Sequence, residues 1–511
     1  MSRKFKISWL LIAFIFGLTI NETNLYFVKK ENPNNVRANE KSTMFGYSIY
    51  NVDHEWYLPQ IKNMMAGNGY TLEPNNPEMK VRRTPLYPLF YGTFYYLFGE
   101  ENSFFVIRYI QLFLFSLAAV LIGISVFNFT GNIHWGKCCT YLFSFSPFIF
   151  IYAYHTITEG LIPFLVVLSL YFFSCYHSTR YKRYLVLTGI AVALSVLNRP
   201  LTGFMLPAFL LCLIEKKFFS AGNLYALMRK TFYVIVPFVL TIIPWTIRNY
   251  FVTGGEFVPL EKIYYEDPMD FGRGHYYFRY WISCWANPAM VSAEQFSNSL
   301  RDNIRKGKTG NDSLINDFIS HLPAYAFQNY SVNEVRDALQ KLNACFVHKQ
   351  QLINENAAIK RKELAKCACE DEAKNSFLDL AVKFRANAPL RYYVVTPFTM
   401  VGQGIFQSNT LFWGSLNPAG GNFSFLQKII KALMYALNVA LFFSALFFLF
   451  FCKGQTELKF IISTMVVLTF FSLVYFFNRY LDARYLLPLY PFLYISLSYF
   501  VHLIFARKAK A

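Results

Sequence analysis

The sequence predicts an all-α membrane protein that crosses the lipid bilayer many times. Of the 511 residues, 55% are hydrophobic and 19% are aromatic, while only 15% are charged, a combination that no soluble domain of this size carries. Several uninterrupted apolar runs reach the length of about 20 residues that a helix needs to cross the hydrocarbon core. Each run must be helical, because lipid offers the backbone no hydrogen-bonding partner.

About ten membrane helices are predicted from these apolar runs. They are centred on residues 7–25, 104–129, 138–153, 159–176, 184–197, 201–214, 231–247, 428–451, 460–477 and 485–505. Residues 1–19 also look like a signal peptide, with a basic start and an apolar stretch. We prefer a retained first helix, because no cleavage site of the small-x-small type follows it.

The distribution of basic residues predicts that both chain termini lie in the cytoplasm. With the N-terminus inside, every cytoplasmic segment is basic, and the short outer segments hold little positive charge beyond Arg199, Arg479 and Arg484. The positive-inside rule favours this orientation. Topology therefore explains much of the formal charge of +19, and no basic, aromatic-rich patch indicates a nucleic-acid partner.

Two large polar regions then face outward and divide the chain into three parts. Residues 1–250 form an N-terminal transmembrane module with an outer loop at 21–101, residues 251–427 form a mostly helical outer region, and residues 428–511 form a C-terminal transmembrane module. Within the outer region, residues 293–386 carry apolar residues at helical spacing among charges. That stretch could cap a membrane site or bind a partner.

The sequence contains no recognisable pattern for nucleotide or zinc binding. No Gly-rich loop of Walker or Rossmann type is present, so ATP or NAD chemistry is unsupported. The nine cysteines show no zinc-type spacing. Four of them, Cys284, Cys345, Cys367 and Cys369, fall in the outer region, where disulfides are allowed but not required.

Unusual polar residues meet on the predicted outer side. They are Asp53, Glu55, Glu159, Arg199, Arg248, Arg479, Asp482 and Arg484. Ionisable groups near a bilayer are costly and tend to mark functional sites. The acidic pair, followed along the chain by Arg82 and Arg83, can receive a substrate whose phosphate lies at the lipid headgroups.

Each of these residues also has an ordinary structural explanation. The arginines could anchor at the membrane interface, and Glu159 could complement the N-terminal dipole of a helix. Asp482 and Arg484 could form a local ion pair of small energy. For Asp53 and Glu55, a solvated loop remains an equal alternative on the residues alone.

Short motifs follow one another in a definite order along the predicted outer segments. DHEWY at 53–57 precedes AGNGY at 66–70 and RRTPLYP at 82–88, and the later motifs are TE at 158–159, NRP at 198–200, PWTIRNY at 244–250 and ARYLLP at 483–488. This order resembles the GT-C glycosyltransferases that use polyprenyl-phosphate sugars. The resemblance is closest to the protein O-mannosyltransferases and the lipid A aminoarabinose transferase, and it covers most of the membrane part.

The resemblance implies a hexosyl- or pentosyltransferase. A sugar would pass from an undecaprenyl- or dolichyl-phosphate carrier to an acceptor hydroxyl, with inversion at the anomeric carbon. Asp53 is the expected general base, supported by Glu55, and such assistance is typically worth about 10²–10⁴ in rate. Guanidinium groups suit a leaving phosphate. The expected donor-phosphate and substrate-binding residues are Arg82, Arg83, Tyr57, Glu159, Arg248 and Arg484.

The expected partners are the carrier-linked sugar, an envelope glycolipid, glycan or protein as acceptor, and membrane lipids, but not nucleic acid. The expected location is a bacterial cytoplasmic membrane, with the active site facing the periplasm. No nucleotide or redox cofactor is needed. No metal site is assigned, although Asp53, Glu55 and Glu159 could converge on a divalent metal.

Three other classes of protein compete with this interpretation. A lipid-linked oligosaccharide transporter or flippase would need charged or broken helices near the bilayer midplane, whereas the span interiors here are nearly uncharged. The chemistry of an O-antigen-type polymerase would not need the motif around Asp53. A structural or assembly protein would use the outer region and not the acidic pair.

Overall fold

The fold consists of helices throughout the residues that the structure describes. The computed structural model describes residues 1–31, 57–74, 77–214, 221–262, 272–288, 291, 293–327, 330–355, 364, 367–410, 413, 416, 423–452, 454–475, 479 and 481–508. The α-helices are α1 (Arg3–Glu31), α2 (Leu58–Met65), α3 (Leu86–Thr130), α4 (Ile133–Ser144), α5 (Pro147–Phe150), α6 (Ile162–Thr179), α7 (Arg183–Asn198), α8 (Met205–Cys212), α9 (Ala221–Val252), α10 (Arg273–Ser283), α11 (Ala293–Arg305), α12 (Asp312–Ser320), α13 (Val332–Glu355), α14 (Ala368–Asn387), α15 (Thr396–Ile405), α16 (Phe425–Phe451), α17 (Thr456–Tyr475) and α18 (Tyr490–Lys508). Shorter helical turns are Pro77–Lys80, Ile151–Tyr154, Thr158–Gly160, Pro200–Phe204, Ala324–Ala326, Arg391–Val395 and Ala483–Leu489.

The predicted all-α, multi-pass membrane fold is confirmed. Within the described ranges, seven helices are long and apolar enough to cross a membrane, namely Arg3–Phe27, Asn102–Thr130, Ile162–Thr179, Leu224–Val252, Phe425–Phe451, Thr456–Tyr475 and Arg484–Ala506. Two shorter apolar helices, Arg183–Asn198 and Pro200–Cys212, account for two further predicted spans. The chain is therefore an integral multi-pass membrane protein.

The predicted span at 138–153 is a series of short helices instead of one continuous helix. It begins inside α4, breaks where Ser146 takes an extended backbone conformation, and restarts at Pro147. The break has a simple cause, because proline lacks the N–H that a continuous helix would use and disfavours helical geometry in the residue before it. The chain then continues through α5 and the turn Ile151–Tyr154.

Two compact units make up the chain, and both are discontinuous in sequence. The first unit comprises Met1–Lys262, Phe406–Thr469 and Leu486–Ala511, and the second comprises Ile263–Ile405 and Phe470–Tyr485. The second unit takes up most of the predicted outer region at 251–427. It also includes residues 470–485, which fall in the predicted C-terminal transmembrane module at 428–511.

In the first unit, α3 is the central helix. It packs against α1, α4 and α6, while α6 packs against α7 and α7 against α9. Small residues allow close helix approach, as expected inside a membrane. A Cβ on Gly136 of α4 would lie 2.6 Å from the carbonyl oxygen of Gly123 in α3, and Gly189 of α7 faces the backbone of α9 at Val234 in the same way. The C-terminal helix α18 packs against α4 and α16.

The second unit has an aromatic core like that of a soluble helical domain. Helix α14 packs against α10 and α13, and α13 also contacts α11 and α12. The rings of Phe278 and Phe377 lie 5.2 Å apart between centroids, and Phe296 and Phe318 lie 4.5 Å apart. All four side chains are buried. The apolar spacing at 293–386 therefore marks core positions.

Candidate active site

The segment before α3 folds back on itself. Tyr70 donates its hydroxyl to the carbonyl oxygens of Arg83 and Thr84, both at 3.1 Å. Asn63, in α2, donates to the carbonyl oxygen of Thr71 at 2.8 Å. These bonds join the start of the segment to its end and place Arg82 and Arg83 in a fixed turn before α3.

Thr84 ties this segment to two other parts of the first unit. Its backbone N–H donates to Oε2 of Glu261 at 3.1 Å, and its hydroxyl donates to the carbonyl oxygen of Asn198 at 3.3 Å. The N–H of Lys262 donates to the carbonyl oxygen of Val81 at 2.9 Å. The RRTP motif thus meets the end of α7 and the segment that follows α9.

Asn198 extends this network to the turn before α6. Its side-chain amide donates to the carbonyl oxygen of Thr158 at 2.9 Å, and it is 1% exposed. Residues 84, 158 and 198 are far apart in sequence but adjacent in space. The motifs RRTPLYP, TE and NRP therefore meet in one place.

Glu159 and Arg199 form an ion pair within this site. The Glu159 side chain is only 2% exposed, and its second oxygen accepts a hydrogen bond from the Thr158 hydroxyl at 2.9 Å. Glu159 lies in the short helical turn Thr158–Gly160 that precedes α6, and its charge is offset by the guanidinium group of Arg199. Removing either partner would leave a poorly solvated charge behind.

Arg248 holds the backbone of the segment before α3. Its guanidinium group donates to the carbonyl oxygens of Tyr70 and Lys80 and to Oδ1 of Asn249. The guanidinium carbon also lies 4.7 Å from the ring centroid of Trp245 and 5.3 Å from that of Tyr70. The PWTIRNY motif therefore acts as a clamp on the loop that carries AGNGY.

Glu261 lies beside these residues, although the sequence did not predict it there. Burial raises the pKa of its carboxyl, while Arg83, the Thr84 N–H, Arg199 and Arg82 act to lower it. Three arginines therefore lie within electrostatic range of this carboxylate. A single glutamate between Leu260 and Lys262 carries no motif of its own, and its position just after PWTIRNY was the only available signal.

Arg83 is also in contact with the end of the DHEWY motif. Its guanidinium carbon lies 5.6 Å from the ring centroid of Tyr57, and the ring of Tyr57 lies 5.3 Å from that of Tyr87. The Tyr87 hydroxyl donates to Oε1 of Gln111 at 2.9 Å. Tyr57 is buried, which agrees better with a site position than with an aromatic belt facing lipid.

We call Arg82, Arg83, Arg199 and Arg248, together with Glu159 and Glu261, the arginine cluster. Among the described residues, the cluster contains four guanidinium groups and two carboxylates. Such a cluster can offset the charge of a phosphate group, because guanidinium N–H groups match phosphate oxygens in pairs. The cluster brings together residues from four separate helix ends, namely the starts of α3 and α6 and the ends of α7 and α9.

The remaining predicted site residues belong to the second unit or lie outside the described ranges. Asp53 and Glu55, the predicted base and its support, fall in 32–56 and lie outside the described residues. Arg484 belongs to the second unit, where its Nε lies 3.2 Å from Oδ2 of Asp482. In the same unit, Arg479 is 2% exposed, donates to the Tyr392 carbonyl oxygen and stacks on the Tyr392 ring at 3.9 Å.

Among the described residues, carboxylates and histidines do not gather into a metal-binding group at the arginine cluster. The side chains that could hold a metal ion together are Cys345, Cys367 and Cys369, in the second unit. Convergence of Asp53, Glu55 and Glu159 on a metal stays a prediction, because two of the three lie outside the described ranges.

Comparison with known proteins finds weak structural likeness and no sequence match. No protein-family model matches the chain, and no curated protein matches it. Among solved structures, the oligosaccharyltransferase of Archaeoglobus fulgidus tethered to an acceptor peptide is 13% identical with a TM-score of 0.47, covering 99% of this chain and 50% of that one. The archaeal oligosaccharyltransferase AglB from the same organism, in complex with an inhibitory peptide and a dolichol-phosphate, is 14% identical with a TM-score of 0.41, covering 99% and 52%.

This chain therefore spans about half the length of the solved structures that it matches. Likeness at this level of identity and TM-score carries no conclusion about family or activity. What the structure shows by itself is a multi-pass helical membrane protein with an arginine cluster at four helix ends.

Proposed function

We propose that the protein is a GT-C-like glycosyltransferase that moves a sugar from a polyprenyl-phosphate carrier to an envelope acceptor on the outer face of the membrane. The acceptor would be a glycolipid, a polysaccharide or a protein. The observation that supports this best is the arginine cluster, in which the separate motifs RRTPLYP, TE, NRP and PWTIRNY meet in one place.

The cluster fits the donor half of such a reaction. As the glycosidic bond breaks, negative charge grows on the phosphate oxygens of the carrier, and preorganised cations stabilise that charge. Arg82 and Arg83 are our first choice for this role, because they sit on a turn that is fixed at both ends. Arg199 is shared with Glu159, so its charge is already partly offset.

Arg248 has a different role in this proposal. Its donors are used on the carbonyl oxygens of Tyr70 and Lys80, so it positions the loop that carries the first two arginines. Glu261 likewise positions this loop through the Thr84 N–H. Glu159 keeps Arg199 in place. Arg484 stays a candidate for the donor phosphate from the motif order.

Asp53 is the general base of the proposed reaction. It takes the proton from the acceptor hydroxyl as that oxygen attacks the anomeric carbon, and the carrier phosphate leaves from the opposite face with inversion. Glu55 supports the base. Tyr57 follows Asp53 by four residues and contacts Arg83, so the motif that supplies the base ends beside the motif that binds the leaving group.

The test is transfer from polyprenyl-phosphate sugars to extracted envelope acceptors by the purified full-length protein. Asp53→Asn is expected to lower transfer by about 10²-fold or more, the usual worth of general-base assistance, with unchanged expression and thermal unfolding. Asp302→Asn, at an exposed position of the second unit, is the matched control and should transfer at the wild-type rate.

Wild-type transfer by Asp53→Asn would refute the base assignment. Movement of intact carrier-linked sugar across vesicle membranes without any transfer would instead support the transporter class. Transfer of repeat units onto a growing chain, insensitive to Asp53→Asn, would support the polymerase class.

A further inference from the structure

Three cysteine sulfur atoms meet in the second unit. Cys345 lies on α13, Cys369 lies in the first turn of α14, and Cys367 immediately precedes α14. Cys345 and Cys369 form a disulfide, and the Sγ atom of Cys367 lies 2.7 Å from that of Cys369. All three sulfur atoms lie within 4.8 Å of one another.

The number of sulfur atoms in this group is odd, so one thiol always remains beside a disulfide. A disulfide exchanges when a thiolate attacks one of its sulfur atoms and the other sulfur leaves. The Cys367 thiol is placed for that attack, because it contacts Cys369 directly. It is also half-buried, in contrast to the fully buried thiol of Cys284 in the same unit.

The surroundings of Cys367 contain groups of both signs. Cys367 is the N-cap residue of α14. The Lys349 ammonium interacts electrostatically with Cys367 and pairs with Glu370. In the first turn of α14, Glu370 pairs with Lys349, and Oδ1 of Asp371 lies 2.9 Å from the Arg273 guanidinium group.

We propose that Cys345, Cys367 and Cys369 form a thiol–disulfide exchange site in which Cys367 is the attacking thiol. The Cys367 thiolate bonds to Sγ of Cys369, and the electrons of the broken bond leave with Sγ of Cys345 as a thiolate. The proton lost by Cys367 passes to Cys345. One disulfide is replaced by another, so no oxidant or reductant is consumed.

The exchange changes which helices are covalently joined. The Cys345–Cys369 disulfide links α13 to α14, across 24 residues of sequence. A disulfide between Cys367 and Cys369 would leave Cys345 as a free thiol and α13 unlinked. The packing of α13 on α14 is retained in either case, because it rests on a separate core that includes Leu339 and Phe377.

The experiment uses the full-length protein in detergent, quenched with acid, alkylated and digested without reduction. Peptide mapping of the wild type is expected to find both disulfides, Cys345–Cys369 and Cys367–Cys369. Cys345→Ser should contain only the second, and Cys367→Ser only the first. In the native wild type, N-ethylmaleimide should modify Cys367 about tenfold faster than buried Cys284, which serves as the internal control.

Two outcomes would overturn the proposal, and both can be read on the wild type even if a variant fails to fold. One is a single disulfide, Cys345–Cys369, with Cys367 alkylated no faster than Cys284. The other is stoichiometric zinc, measured by elemental analysis, in a protein whose three thiols are all reduced, which would make the group a metal site instead.

Discussion

At the residue scale, the arginines of the arginine cluster have different roles. Some hold the backbone in place, and others can bind a substrate. The sequence treated Arg82, Arg83, Arg248 and Arg484 as equivalent candidates for a donor phosphate. The structure distinguishes Arg248, whose hydrogen bonds go to the carbonyl oxygens of Tyr70 and Lys80. Charge and position along the chain could not reveal this, because they do not show which donors are already used.

Arg248→Lys is expected to lower transfer about tenfold or more. A lysine has one compact ammonium group and cannot reach two carbonyl oxygens and a side-chain amide in the planar arrangement of a guanidinium. Loss of one such charged hydrogen bond costs about 1.5–3 kcal/mol. Transfer kinetics measure the effect. Arg229→Lys, an exposed arginine near the other end of α9, is the control, and equal activities would contradict the clamp.

Ionisation of Glu261 makes the free energy of unfolding depend on pH in a known direction. Burial raises the pKa of its carboxyl, so the folded chain binds this proton up to a higher pH than the unfolded chain does. From this group alone, the free energy of unfolding is highest below the ordinary glutamate pKa of about 4.3 and falls as pH rises through the raised pKa.

Glu261→Gln removes this dependence, because an amide does not ionise. The unfolding temperature of the variant relative to wild type is therefore expected to rise with pH above about pH 4.3. Thermal unfolding in detergent across a pH series measures the difference. Glu256→Gln, at an exposed glutamate nearby, is the matched control. A difference that is flat or that falls with pH would contradict the assignment.

At the element scale, glycines decide how closely α10 and α14 meet. The N–H of Gly274 donates to Oε2 of Glu370 at 2.7 Å, and Glu370 also pairs with the buried Lys349. The Cα atom of residue 274 can carry only hydrogen atoms, because a Cβ there would lie 2.7 Å from the Cβ of Ala373. Periodicity predicted helices in this region, but it could not predict which faces would touch.

Gly274→Ala is expected to destabilise the protein by about 1–3 kcal/mol, the usual cost of forcing an extra methyl into a packed site. Gly310→Ala is the matched control, because a Cβ at residue 310 would meet nothing within 4 Å. Its effect should be neutral or slightly stabilising, by about 0.4–1 kcal/mol. Thermal unfolding of the full-length protein compares the two, and equal effects would contradict the close approach.

At the scale of the whole molecule, the basic residues predict one orientation in the membrane. Both termini should lie in the cytoplasm, and the region at 251–427 should lie outside. A short epitope tag inserted between Gly307 and Gly310, where the chain is exposed, is expected to be accessible to protease in intact spheroplasts. A tag added after Ala511 should be protected there. Accessibility of both tags or the reverse pattern would refute the orientation.

The helices themselves were predictable because hydropathy and helix formation are local properties. Composition and apolar run length identified the membrane class, and the predicted spans fall on helices in the described part of the chain, with 138–153 broken at Pro147. The interleaving of the two units was not predictable, because residues 470–485 join residues 263–405 through contacts that no local pattern records.

The sequence by itself determined a multi-pass helical membrane protein and a set of motifs whose order resembles the GT-C glycosyltransferases. Only the tertiary structure decided that Glu261 belongs with Arg82, Arg83 and Arg199, that Arg248 clamps a loop, and that three cysteines meet. The physical reason is that hydropathy acts over one helix length, whereas a site is made by side chains from distant segments. Their meeting depends on how whole helices pack.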